Sequence, residues 1–142
     1  MESWQAMLTG LRVLLADDHK AMLERVKRLL DSEFEVVGAV DNGQALVDSA
    51  TELNPDVLVV DISMPVLNGI DAVRQIRKLG SKARVIFLTV HEDPDMVPAC
   101  FDAGALGFVV KSRLASDLIP AIQFALTNHT FVSPTLPWEN KS

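Results

Sequence analysis

Cysteine is almost absent from this 142-residue chain. Cys100 stands alone, which excludes an internal disulfide framework and a cysteine-based zinc site. Long hydrophobic runs are missing too: the uninterrupted apolar stretches are a few residues each, far short of the roughly 20 that a helix needs to span a bilayer. Positive charge is scarce, with 13 Lys+Arg against 19 Asp+Glu and a formal net charge of -6. A protein that tracks phosphate backbones carries the opposite sign, so these residues do not read as a direct nucleic-acid binder. Glycine and proline, 7 of each, are too few for a collagen-like or low-complexity chain. Residues 1–10 have neither a basic n-region nor an apolar core, so they do not read as a secretory signal. What remains, with 49% apolar and 23% charged residues, is one soluble domain, expected in the cytoplasm and away from membranes. Its size suffices to bury roughly two thirds of its unfolded surface.

Short apolar runs alternate with longer segments of helical period. Residues 11–16 read as a strand closed by Asp17-Asp18, and residues 19–32 as a helix with Met22, Val26, Leu29 and Leu30 on one face. Residues 34–40 form a second strand, and residues 44–53 a helix behind the turn Asp41-Asn42-Gly43. Residues 56–60 are apolar on both faces, as a central parallel strand must be, and run into Asp61. Residues 67–79 read as a third helix stopped by Gly80, and residues 84–90 as a fourth strand. Asp93-Pro94 opens a fourth helix ending near Gly104. Residues 107–110 give a short fifth strand, and Leu118, Ile122 and Leu126 mark a fifth helix. The expected organisation is an extension at 1–10, a domain at 11–130, and a tail or linker stub at 131–142. Five βα units with such short connections require right-handed crossovers and a doubly wound five-stranded parallel α/β sheet with helices on both faces.

In such sheets ligands sit outside the carboxyl ends of the strands, at the switch point. Those ends carry Asp17 and Asp18 on strand one, Asp61 on strand three, Thr89 on strand four and Lys111 after strand five. Three carboxylates on one spot repel one another unless a cation intervenes. Mg²⁺ is the economical one, since it takes one or two carboxylates, keeps waters and is completed by phosphate oxygens. A hydroxyl and an ammonium on the same rim are what an incoming phosphoryl group needs, because phosphoryl transfer is mostly positioning and charge neutralisation. Taken singly, Asp17 reads equally well as a helix N-cap, Thr89 as a β-branched strand residue and Lys111 as a solvated charge. Asp61 inside an apolar strand gains nothing from packing.

These residues sit in four segments: LLADDH at 14–19, DVLVVDISMPVLNGIDAVRQIR at 56–77, VIFLTVHED at 85–93 and AGALGFVVKS at 103–112. In this order and spacing the chain resembles the receiver (CheY-like) domain of bacterial two-component response regulators. The LTVHED segment, the Ser after Lys111 and NHTFVSP at 128–134 are similar to the NarL/FixJ-type branch. The resemblance implies a flavodoxin-like sheet of strand order 2-1-3-4-5. It makes Asp61 the acceptor of a phosphoryl group from a sensor histidine kinase. It also implies Mg²⁺ bound by Asp18, Asp61 and the Ser63 backbone carbonyl, with Asp17 acting through water. Lys111 and Thr89 would each contact a phosphoryl oxygen, while Pro65 and Gly69 would shape the loop after the acceptor. Thr89 and Phe108 would form the switch that remodels the helix 4–strand 5–helix 5 surface, favours a phosphorylation-dependent homodimer or partner docking, and controls a transcriptional output domain outside these residues. The kinase would dock near Ala21, Met22 and Arg25. Ser63 and His91 would bear on hydrolysis of the acyl phosphate, although His91 reads equally as a solvent-facing imidazole, and Met64 equally as packing.

Phe108 stands where many relatives have Tyr, so it can pack inward without hydrogen-bonding a loop carbonyl. Pro98 either kinks helix four or marks a later start to it; Pro120 is expected near the first turn of helix five. Cys100 reads as a small core residue, and Trp4 and Trp138 have no assigned role. A pseudo-receiver serving only as an interaction module would have no reason to keep the full charged set. A flavin binder would want a Ser/Thr-rich loop where Asp17-Asp18-His19-Lys20 stands, and a dehalogenase-type hydrolase a D-x-D pair on strand one.

Overall fold

The computed structural model describes residues 10–90 and 95–134. Eleven strands and helices follow one another: β1 (Arg12–Ala16), α1 (Lys20–Asp31), β2 (Glu35–Val40), α2 (Gly43–Leu53), β3 (Val57–Asp61), α3 (Gly69–Lys78), β4 (Arg84–Thr89), α4 (Met96–Asp102), β5 (Gly107–Val110), α5 (Leu114–Leu126) and β6 (Phe131–Val132). A 3₁₀ turn, Lys111–Arg113, joins β5 to α5. The strands form one parallel sheet in the order β2-β1-β3-β4-β5-β6. The expected order 2-1-3-4-5 is therefore present, lengthened by one short strand.

Period-two alternation divides the strands between two cores. Leu14, Ala16, Leu58, Val60, Val85 and Phe87 face α2, α3 and α4, packing with Leu46, Val73, Ile76 and Cys100. Val13, Leu15, Val57, Val59, Ile86 and Leu88 face the other way, against Val26 and Leu30 of α1 and Leu118 and Ile122 of α5. All five residues of β3 are buried, which is why its sequence is one apolar run with a single carboxylate at the end. The caps are local: Asn42 and Asn68 accept the backbone N–H of Ala45 and Asp71 at 2.8 and 2.9 Å and start α2 and α3.

Three expectations change. Phe131 and Val132 are not a free tail: they pair with Gly107 and Phe108 as β6, held by long-range contacts that a two-residue strand does not advertise. Pro120 lies in the middle of α5, not near its first turn. Its missing N–H leaves the carbonyl of Ser116 without a helical partner, at a residue exposed to water. Pro98 is the third residue of α4, where the N–H has no intrahelical partner in any case, so the later start is the correct reading. Asp93-Pro94, expected to open this helix, lies outside the described residues. Among the described residues no helix is long and apolar enough to cross a membrane.

Candidate functional site

The strand register gathers the site. Ala16 lies opposite Val60, Asp61 opposite Leu88, and Thr89 opposite Val110, so Asp17, Asp61, Thr89 and Lys111 emerge along one rim. All four are buried, with 2–4% of their surface exposed. The Asp18 side chain, 31% exposed, stands at the opening. Asp17 does not cap α1, whose N-cap is His19.

Lys111 Nζ lies 2.6 Å from Asp17 Oδ2 and 3.4 Å from Asp61 Oδ2, bridging the two acids. Asp17 Oδ1 accepts the His19 backbone N–H at 2.9 Å. Asp61 Oδ1 accepts the Ser63 N–H at 3.3 Å, a two-residue turn that aims the carboxylate up from the strand end. Burial, and after it the negative charge of Asp17, push the Asp61 carboxyl from its ordinary 3.8 up to about 6; Lys111 and the Ser63 N–H pull the other way. At neutral pH Asp61 is thus an ionised but poorly solvated carboxylate, which is a competent nucleophile.

Asp17 Oδ2 is, among the described residues, the one buried side-chain polar atom with no hydrogen bond; its partner is the charge of Lys111. Ligand atoms of Asp17, Asp18, His19 and Asp61 lie within 4.8 Å of one another. Carboxylate oxygens from three residues, one of them open to solvent, are the donor set of a hard divalent cation. Such an ion would coordinate the oxygen that has no hydrogen bond and offset the Asp17–Asp61 repulsion, so the residues present fit Mg²⁺. The sequence reading missed His19 as a member of this cluster. Its Nδ1 lies 3.1 Å from Asp18 Oδ1 and 3.4 Å from Asp17 Oδ1, and its place directly after the acid pair was the available signal.

The loop after Asp61 is pinned to the site. Gly69 N–H donates to the Ile62 carbonyl at 2.8 Å, and a Cβ on Gly69 would collide with the carbonyl oxygen of Asp61. Met64 packs into the core beside α2, α3 and α4, the packing reading of that residue. Ser63 and Pro65 are exposed. The Phe108 ring is fully buried in the same core, opposite Phe87 in the sheet. Cys100 is fully buried, and burial pushes its thiol up to about 12. Ala21 and Arg25 are exposed on α1 with Met22 half-buried beside them. His91, Trp4 and Trp138 lie outside the described residues.

Comparison with known proteins agrees with this geometry. The family described as "Response regulator receiver domain" matches residues 13–123. The chemotaxis protein CheY of Thermotoga maritima is 36% identical over 114 residues, covering 80% of this chain and 95% of that protein. The transcriptional regulatory protein DegU of Brevibacillus brevis is 32% identical over 126 residues, covering 87% of this chain and 53% of DegU. A LuxR-family two-component response regulator from Aurantimonas sp. superposes with a TM-score of 0.84 at 31% identity, covering 89% of this chain and 91% of that one. The chain spans 53–64% of the length of DegU and of two further regulators it matches, a nitrate/nitrite response regulator homolog and a putative transcriptional regulator. NarL-type regulators are among the proteins it resembles, and with an acid cluster and a lysine at the switch point of a doubly wound sheet, and a family match across most of its length, the chain belongs to the response regulator receiver domains.

Proposed function

We propose that this chain is a phosphorylatable switch whose acceptor is Asp61. The observation that carries the proposal is the Lys111 ammonium set between two buried acids, 2.6 Å from Asp17 and 3.4 Å from Asp61, beneath a rim opened by Asp18. In the proposed reaction an Asp61 carboxylate oxygen attacks the phosphorus of a phosphohistidine on a sensor kinase. The P–N bond breaks as the P–O bond forms, and the imidazole leaves with its electron pair and takes a proton from solvent. Mg²⁺, held by Asp18, Asp61 and the Ser63 carbonyl with Asp17 through water, would supply neutralisation of the phosphoryl oxygens. Lys111 would exchange its contact with Asp61 for one with a phosphoryl oxygen. Thr89, buried one residue beyond the Asp61–Leu88 pair, is assigned a second oxygen. The chain turns nothing over except its own acyl phosphate.

The added group brings nearly two negative charges and three acceptors to a buried site. That is a local event able to bias a bistable packing arrangement of α4, β5 and α5 through Thr89 and Phe108. Kinase docking is assigned to α1 near Ala21, Met22 and Arg25, and the output is a homodimer that governs a transcriptional domain in a longer protein. The proposed unit is the segment 11–130 together with the residues of β6, flanked by the extension at 1–10 and a linker. The test is intact mass after incubation with Mg²⁺ and acetyl phosphate, beside Asp61→Asn. A Mg²⁺-dependent gain of one phosphoryl mass, absent in the variant, is the expected result. No gain in the wild type, with metal binding intact, would refute the reading.

A further inference from the structure

Lys111 is bracketed by a polar network, buried at Ser133 and Asp117, that belongs to no part of the acid cluster. On its N-terminal side, the Val110 N–H donates to Ser133 Oγ at 3.0 Å. Ser133 Oγ donates in turn to Asp117 Oδ2 at 2.8 Å. On its C-terminal side, Arg113 donates to the same carboxylate through Nε at 2.8 Å and through a terminal nitrogen at 3.3 Å. Ser116 Oγ adds a fourth bond, to Asp117 Oδ1, at 2.9 Å. Both flanks of Lys111 therefore end on one carboxylate.

The burial of Ser133 and Asp117 argues for a role. Ser133 is fully buried and Asp117 is 4% exposed. Asp117 occupies the inward stripe of α5, among Leu114, Leu118, Ala121, Ile122 and Ala125, where an aliphatic residue would pack at no polar cost. Burial alone would raise its carboxyl, but the bonds from Arg113, Ser133 and Ser116 outweigh it and hold Asp117 below its ordinary value. Ser133 also donates its backbone N–H to the Phe108 carbonyl at 3.0 Å. It thus grips β5 on both sides of Val109, and extends the β5–β6 pairing with its side chain after the strand itself has ended.

We propose that Ser133 and Asp117 are positioning residues for Lys111, and that the segment leaving the domain through β6 is thereby tied to the phosphoryl site. This rests on the reading of Asp61 as acceptor. When Lys111 turns from the acids to a phosphoryl oxygen, the 3₁₀ turn Lys111–Arg113 shifts against a bracket that includes Ser133. The strand that leads out of the domain then feels the modification directly, in addition to any change on the α4 surface. Coupling is reciprocal, so a loosened bracket weakens the hold on the phosphoryl group.

The probe is beryllium trifluoride, a phosphoryl mimic, titrated calorimetrically with Mg²⁺ present, with Mg²⁺ titrated separately in its absence. Ser133→Ala is expected to weaken beryllofluoride binding by about tenfold, the worth of one buried hydrogen bond, while Mg²⁺ affinity stays within about twofold, because Lys111 contacts phosphoryl oxygens and not the metal. Ser133→Thr, which keeps the hydroxyl, restores binding, and Asp117→Asn behaves like Ser133→Ala. In the wild type, which needs no variant to fold, beryllofluoride is expected to slow amide exchange at Val110 and Ser133. Unchanged beryllofluoride affinity in folded variants, an equal loss of beryllofluoride and Mg²⁺ affinity, or unmoved exchange at those two amides would each overturn the proposal. A wild type that binds Mg²⁺ but no beryllofluoride would instead overturn the acceptor reading on which it stands.

Discussion

Replacing Asp61 with asparagine is expected to stabilise the fold at neutral pH, and the size of the effect follows from the site. The Asp61 carboxyl is raised from 3.8 to about 6 by burial and by Asp17, net of Lys111 and the Ser63 N–H. The folded state therefore binds the proton more tightly than the unfolded chain does. Between those two values stability falls as pH rises, and above about 6 the whole cost of the charge is present. At about 1.4 kcal/mol for each tenfold change in proton affinity, the raw cost is roughly 3 kcal/mol. The rim beside it is open, with the Asp18 side chain 31% exposed, and solvent screening brings the expected gain to about 1–2 kcal/mol. Asparagine mimics the neutral carboxyl in shape and removes the charge. Thermal or urea unfolding at pH 7.5 should show the variant melting several degrees higher, with the advantage fading below about pH 4. Added Mg²⁺ should narrow the gap by stabilising the wild type alone. A variant less stable than wild type at pH 7.5, or an equal gain at pH 4 and pH 7.5, would show that the cluster is not electrostatically strained.

Val66 holds φ at +72° in a γ-turn closed by the Leu67 N–H on the Pro65 carbonyl at 2.7 Å, a conformation that disfavours a β-branched residue. Because Val66 is 80% exposed and packs against little, Val66→Gly should raise stability by about 1 kcal/mol in denaturant titrations, and a loss would refute the strain. Gly69→Ala should cost about 3 kcal/mol and abolish phosphorylation, since a Cβ there meets the Asp61 carbonyl oxygen and Val60 Cγ1, the latter at 2.8 Å; an active, stable variant would show that the acceptor loop tolerates displacement. Cys100, buried and with its thiol pushed up to about 12, should stay inert to a thiol-specific disulfide reagent until the protein unfolds, and rapid labelling of the native protein would place it elsewhere.

The legible parts of this fold are those whose reason is local. Strands β1, β3, β4 and β5 announce themselves because burial on both faces leaves an apolar run, and the acids stand out because each interrupts or ends such a run. α1, α2 and α3 carry regular stripes and side-chain or glycine punctuation. The illegible parts have distant reasons. β6 has two residues and is paired by backbone bonds to the Leu106 and Phe108 carbonyls, beside which Ser133 reaches Asp117, 16 positions away, and Val110, 23 away. Asp117 could have been flagged, since a carboxylate three residues after Leu114 and directly before Leu118 falls on the apolar face of the helix. Its partner could not, because nothing in FVSP marks that serine as buried. Pro120 falls mid-helix because the 3₁₀ turn Lys111–Arg113 leads directly into α5 at Leu114, earlier than the apolar pattern suggests.

The charges of the site explain why strain and function coincide. Asp17, Asp18 and Asp61 face one ammonium, Lys111, which leaves two negative charges, the complement of one divalent ion. A fold selected for stability alone would delete one buried acid, since burial and Asp17 both disfavour the Asp61 charge. Keeping all three leaves the site under-neutralised until a cation arrives, and leaves Lys111 divided between Asp17 and Asp61. A phosphoryl group on Asp61, as proposed, would compete for the same ammonium. Because Lys111 is anchored on both sides to Asp117, one through Ser133 and β5, the other through Arg113, the proposed reorientation would not stay a side-chain event. In the proposed switch, the cluster that destabilises the resting fold is therefore also the lever that would move β6.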